Sequence, residues 1–263
     1  MSIKNLSKNL NGFQLGSINL EVEPGYIIGV IGKNGSGKSS LFNCMLGALG
    51  YEGIIEGMNQ SEVSFVLEKN PFPWEYSAKD IAATFAKIYD DFNYEKFFGI
   101  CEKYNVPVGK PIDKLSRGMG MVVQMAFAMS KEANVLILDE PTAHFDSYAR
   151  EELYDFVSQF MENPGYTVFW ASHIMEELDR RADFVLGLKK GHMEFFTAKE
   201  ELLEQYSSVK GTRKQLDYVN KALLGRKDCE TYSTGLLKNS ENVLNLGYTK
   251  ESAKLADIVE YVL

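Results

Sequence analysis

The stretch "GKNGSGKSS", Gly32 to Ser40, limits the fold more than any other segment of this chain. It places Gly32, Gly37, Lys38 and Ser39 in the spacing G-x-x-x-x-G-K-[ST], after the apolar run "YIIGVI" (26–31) and at the head of a helical pattern. Glycines let the backbone curl until successive N–H groups point at phosphate oxygens, and the helix N-terminus adds partial positive charge. Such a turn needs a buried strand on one side and a covering helix on the other, which predicts an α/β sheet. Gly32, Lys33, Asn34, Gly35, Ser36, Gly37, Lys38, Ser39 and Ser40 are expected to enclose the phosphates of a nucleotide. Lys38 would reach the β- and γ-phosphates, and Ser39 would ligate Mg²⁺.

The rest of the chain agrees with that architecture. Short apolar runs at 26–31, 63–67, 135–138, 167–172 and 183–188 read as buried parallel strands. Helical patterns at 38–48, 78–89, 147–161 and 174–181 alternate with them. No strand is evident between Glu68 and Ser130, and residues 69–130 read as a mostly helical subdomain. "KKGH" (189–192) predicts a hairpin turn, and "AKEELLEQY" a helix with acids in its first turn. The character shifts after Tyr206, so a core spanning 1–205 is expected with a small α/β appendage over 206–263. There Leu255, Ile258, Val259 and Val262 share one helical face.

With 263 residues, 45% of them hydrophobic, the chain can bury a full core. No apolar run approaches the roughly 18 residues that span a bilayer, and no targeting leader is visible, so a cytoplasmic location is expected. The net charge of −8 without a basic cluster argues against nucleic-acid binding. Cys44, Cys101 and Cys229 are too widely spaced for a zinc site or a disulfide framework.

Other candidate residues close apolar strands. "VLILDE" ends in Asp139 and Glu140: the Asp would hold the Mg²⁺ hydration shell, the Glu would polarise a water in line with the γ-phosphate. His173 follows "TVFWAS" and should face the same crevice, because parallel strands carry their C-terminal ends to one side. His144 and His192 lack such a placement and read as structural. Met121, Met125 and Met129 recur at helical spacing and read as flexible core.

Taken in order, these motifs resemble the nucleotide-binding subunit of an ABC transporter. "GKNGSGKS" resembles the Walker A motif, "KLSRGM" the signature, "VLILDE" Walker B, "AHFD" the D-loop and "SH" the switch histidine. The resemblance covers about 1–205. It implies that two subunits, identical or similar, pack head to tail, with Ser116, Arg117, Gly118 and Met119 of one closing over the ATP of the other. Asp146 would couple the two sites. It also implies an integral membrane permease, holding the subunit at the inner face of the cell membrane. A nucleotide-gated dimerisation switch without transport is the rival reading. Catalysis would fall to Glu140, His173 and Lys38.

Departures from the family pattern carry information. Arg117 and Met119 replace the commoner Gly and Gln, a variant resembling type-two exporters of drugs and peptides, so export is expected. Glu68 stands where Gln is usual and could join Ser39 and Asp139 on the metal. Phe72, Trp74 and Tyr76 lie in a Pro-stiffened loop, where they suit contact with the permease or fill the subdomain core. Leu10 stands where an adenine-stacking aromatic is usual, and Phe13 could stack instead.

Overall fold

The computed structural model describes residues 1–241, 243 and 247–263. In chain order the core comprises β1 (Ser2–Leu10), β2 (Phe13–Glu21), β3 (Ile27–Ile31), α1 (Lys38–Met45), β4 (Glu52–Glu56), β5 (Val63–Val66), α2 (Ala78–Phe85), α3 (Tyr94–Lys103), α4 (Arg117–Met129) and β6 (Val135–Asp139). It continues through α5 (Ser147–Phe160), β7 (Thr167–Ala171), α6 (Met175–Arg181), β8 (Phe184–Lys189), β9 (His192–Ala198) and α7 (Lys199–Glu204). Beyond them lie β10 (Tyr206–Gly211), α8 (Arg213–Val219), β11 (Leu223–Asp228), β12 (Ser233–Lys238), β13 (Thr249–Ser252) and α9 (Leu255–Tyr261).

The central sheet runs β5-β6-β7-β3-β8-β9. Its first five strands are parallel, and β9 pairs antiparallel to β8 through the hairpin at Lys190-Gly191. The fold is therefore mixed α/β with a mainly parallel sheet. Side chains alternate across it, as the two-residue period of a strand requires. Leu136, Leu138, Val168 and Trp170 face a core shared with α4, α5, α6 and the helical subdomain. Val135, Ile137, Phe169 and Ala171 face the opposite core.

That second core contains what the sequence reading missed, a three-stranded antiparallel sheet ordered β2-β1-β4. It sandwiches α1, whose Leu41, Phe42, Cys44 and Met45 pack with Ile3, Leu6, Leu15 and Ile18. The alternation in β1 is broken by register shifts between Ile3 and Leu6 and again before Lys8, and Asn5 adopts a φ of 51°. Bulges of this kind erase the period that marks a strand. One signal remained: Asn11-Gly12 forms the two-residue turn between paired Leu10 and Phe13, and Asn-Gly is a strong hairpin dipeptide.

Residues 69–130 contain α2, α3, α4 and a short 3-10 turn, with an isolated bridge between Ser77 and Pro111. Phe72 is buried among Phe65, Phe85 and Phe127, whereas Trp74 is 70% exposed and Tyr76 39% exposed. The loop thus anchors through one ring and presents the other two. Met121 and Met125 are buried, and Met129 packs against the same core.

After Tyr206 a second sheet, β11-β12-β10-β13, closes over Val209, Leu216, Val219, Leu237 and Tyr248. Its last helix turns back: Leu255 and Ile258 of α9 belong to the main core, and the Leu255 N–H donates to Asp179 Oδ1 at 3.1 Å. Among the described residues no helix is long and apolar enough to cross a membrane.

Candidate active site

Parallel pairing sets the C-terminal ends of four strands side by side. Val30 pairs with Ala171 and Ala171 with Asp139, so the residues just beyond, Gly32, Ser172 and Glu140, crowd one edge. β5 ends beside them and delivers Glu68. At that edge lies an open cleft of about 990 Å³, lined by Asn34 to Ser40, Glu68, Asp139, Glu140 and His173 together with Leu10, Asn11 and Phe13; of the predicted phosphate-loop residues, Gly32 and Lys33 do not line it.

Gly32 has a φ of 155°, and a Cβ there would lie 2.4 Å from both the Leu188 carbonyl and Ser36 Oγ, so no larger residue fits. Gly37 caps α1 without a side chain, leaving the first-turn N–H groups for an anion. Lys38 reaches back to donate to the Gly32 carbonyl at 2.8 Å. Burial lowers the pKa of its ammonium, while Glu140, Asp139 and Glu68 oppose that shift. Lys33 points the other way and donates to the Glu260 carbonyl of α9 at 3.1 Å.

Asp139 is 5% exposed, and its Oδ1 is buried without a hydrogen-bond partner. Burial raises its pKa, the Ser39 hydroxyl holds it down, Glu140 and Glu68 push it up further, and Lys38 draws it down. An orphaned carboxylate oxygen beside a hydroxyl and a second acid fits Mg²⁺, a hard cation that takes oxygen ligands. Among the described residues no three His, Cys, Asp or Glu side chains converge on a metal position. Mg²⁺ commonly takes one or two protein oxygen ligands and completes its shell with phosphate oxygens and water, the arrangement that Asp139 and Ser39 fit.

Glu140 is held more firmly than a carboxylate at a strand end requires. Its backbone lies in the left-handed region at φ 51°, a conformation costing about 1–3 kcal/mol for a residue with a side chain. The His173 N–H donates to Glu140 Oε2 at 2.9 Å, and His173 Nδ1 lies 2.5 Å from the same oxygen. Both turns rest on Glu177, which the sequence reading passed over. This carboxylate, 5% exposed, accepts from the hydroxyls of Thr142 (2.7 Å), Tyr154 (2.7 Å) and Ser172 (2.8 Å). It ties the turn after Glu140, the residue before His173 and α5 into one unit. The signal was a second acid beside Glu176, four residues past His173 and inward on α6.

Ser116 caps α4, accepting from the Met119 N–H at 3.2 Å. A Cβ at Gly118 would lie 3.0 Å from the His144 carbonyl, so α4 starts hard against the turn after β6. This close approach brings two residues to the cleft of their own chain. Arg117 was expected to act only across an interface and His144 to be structural, yet both line the cleft. Ser116, Gly118 and Met119 do not line it. Asp146 caps α5, accepting from the Ala149 N–H at 2.8 Å. Phe13 packs over the phosphate loop, its Cζ 3.1 Å from where a Cβ on Gly37 would sit. His192 packs against Gly16, away from the cleft.

The ABC transporter family profile matches residues 15–143 of this chain. The energy-coupling factor transporter ATP-binding protein EcfA2 of Acetivibrio thermocellus is 30% identical over 201 residues, 68% of this chain and 71% of that protein. The chain belongs to the ABC transporter ATP-binding family. ABC transporter ATP-binding protein YtrB of Bacillus subtilis is 22% identical, over 80% of this chain and 75% of the relative. The ribose import ATP-binding protein RbsA of Streptococcus agalactiae is 26% identical over 73% of this chain, which spans 43% of that longer protein. Among solved structures, an ATP-binding subunit of an ABC transporter superposes with a TM-score of 0.67 at 18% identity, covering 78% of this chain and 92% of the other, and shares the fold. The ABC profile ends at the turn after Glu140, so α5, His173 and everything beyond lie outside it.

Proposed function

We propose that this ABC subunit binds and hydrolyses ATP in a dimer and thereby drives a separately encoded membrane permease. One observation carries the reading: Glu140, in a strained backbone and fixed by His173, faces the phosphate loop across the cleft that also holds Lys38 and Asp139. In this reading Asn34 to Ser40 cradle the triphosphate, Gly32 shapes the turn that leads into them, and Lys38 neutralises its β/γ end. Glu140 accepts the proton of the attacking water, and His173 keeps the carboxylate aimed while its ring lies within reach of the γ-phosphate. Ser39 and Asp139, with Glu68 nearby, would hold Mg²⁺, which when bound would neutralise charge on the phosphates. Phe13 and Leu10 flank the position open to adenine.

Ser116 and Gly118 stand outside their own cleft at a helix N-terminus, which supports their use on the ATP of a second copy, identical or similar. The exposed rings of Trp74 and Tyr76 suit docking to the permease, whose attachment would place the subunit at the cytoplasmic face of the cell membrane. Export of a peptide-like or drug-like substrate is the finer reading and rests on Arg117-Gly118-Met119 alone. Relatives are named for ribose import and for lantibiotic transport, so the shared core does not fix direction.

The test is Glu140→Gln. ATP binding is expected to persist, phosphate release to fall at least about 100-fold, as loss of a general base predicts, and ATP-bound dimers to accumulate on gel filtration. Unchanged phosphate release with no extra dimer would refute the reading.

A further inference from the structure

Gln124 is fully buried in an otherwise apolar stretch of α4, "MVVQMAFAM". Its side-chain amide pairs with the backbone of Leu67 as a neighbouring strand would: the Leu67 N–H donates to Oε1 at 2.8 Å, and Nε2 donates to the Leu67 carbonyl at 3.0 Å. One turn earlier on α4 a second tie forms. Asn70 Nδ2 donates to the Gly120 carbonyl at 3.2 Å, while Asn70 Oδ1 accepts from the Phe72 N–H at 3.0 Å. The backbone on both sides of Glu68 is thus fastened to the helix that Ser116 caps. A buried amide is costly unless both its ends are bonded, and here both ends bond Leu67, the residue before Glu68, with a weaker contact from Nε2 to Met121 Sδ at 3.5 Å. The helix runs from Arg117 to Met129 without interruption, so a displacement at Leu67–Asn70 travels to its N-terminus as motion of a rod.

We infer that Gln124 is a positioning residue that makes the Glu68 loop and the N-terminal end of α4 move together, so that the state of the phosphate cleft governs how Ser116 and Gly118 are presented to a second subunit. The inference rests on the dimeric reading above. Gln124 touches neither nucleotide nor reacting atoms; it acts through Leu67. In the sequence its only mark was a single amide among methionines and valines.

The test compares Gln124→Met, unbranched and suited to its methionine neighbours, with wild type. Three readouts are the Kd of a fluorescent ATP analogue, kcat against KM for hydrolysis, and the ATP-bound dimer fraction in a Glu140→Gln background. Nucleotide Kd and KM are expected within twofold of wild type, with kcat and dimer fraction at least tenfold lower. Gln124→Met added to Glu68→Ala should cost little beyond Glu68→Ala alone, because both cut one line of transmission. A kcat and dimer fraction within twofold of wild type, a parallel loss of Kd and kcat, or full additivity with Glu68→Ala would overturn the inference. If Gln124→Met does not fold, Asn70→Ala decides: it removes one tie on a half-exposed loop, and a kcat at least threefold lower at constant Kd is expected, an unchanged kcat being fatal. Failure of wild type itself to bind ATP or dimerise would instead remove the underlying functional reading.

Discussion

Lys131 is a buried ammonium without a direct carboxylate partner among the described residues. It donates to the carbonyls of Ser61 and Val63 and sits 4.0 Å from the Tyr89 ring centroid. Burial lowers its pKa from 10.5 to about 8, although Asp91 and Glu62 pull upward. Between those two values the unfolded chain holds more proton than the folded one, so this residue's contribution to stability is full above about pH 10.5 and lost as pH falls through about 8. The slope cannot exceed about 1.4 kcal/mol per pH unit. Denaturant unfolding at pH 7.5 and 9.5 should therefore show wild type gaining on Lys131→Met at the higher pH, and a constant difference would contradict the assignment. Lys38→Ala acts elsewhere: removing a desolvated ammonium should leave thermal unfolding nearly unchanged while weakening ATP binding at least about tenfold, as loss of a charge-assisted phosphate contact predicts. Isothermal titration measures it. Of these residues the phosphate loop, Asp139, Glu140 and His173 were legible because each closes a recognisable apolar run. Glu177 and Gln124 were not, since one buried acid or amide in a helix looks like any other until its partners are known.

Elements tell a similar story. The parallel strands were legible because burial on both faces leaves unbroken apolar runs, and their predicted bounds fall within a residue of the observed ones. The antiparallel sheet over α1 was lost to its bulges. The helix at 78–89 stops at Phe85, where the chain leaves helical geometry ahead of Asp90-Asp91. The aromatic loop after β5 combined two fates, a buried anchor and two exposed rings. Trp74→Ala should therefore leave folding and ATP affinity intact while lowering transport by the assembled transporter; undiminished transport would take the loop out of the permease contact. At the head of α4, Ser116→Ala costs about 1 kcal/mol as a lost cap. Its larger effect is expected in trans. Mixed with Lys38→Ala protein, the two inactive chains should recover hydrolysis through one intact composite site, and a mixture no more active than either alone would contradict head-to-tail sharing.

At the scale of the whole molecule, the C-terminal residues are woven into the core. β10 begins at Tyr206, where composition changes, but α9 returns to place Leu255 and Ile258 in the same core as α4 and α6, beside Leu202 and Leu178. Removing 206–263 should expose that apolar surface and yield an aggregation-prone protein with lower Tm, checked by calorimetry and light scattering; a monodisperse fragment of unchanged Tm would refute it. The sequence reading located the shift but not the return, because four apolar residues on a terminal helix do not say which wall they meet. Lys33 adds a second link, reaching from the phosphate loop to the last turn of α9. Any tightening of that loop around its cargo pulls on the far end of the polypeptide as well, which turns the tail into a gauge: a dye placed there would tumble differently as the nucleotide comes and goes.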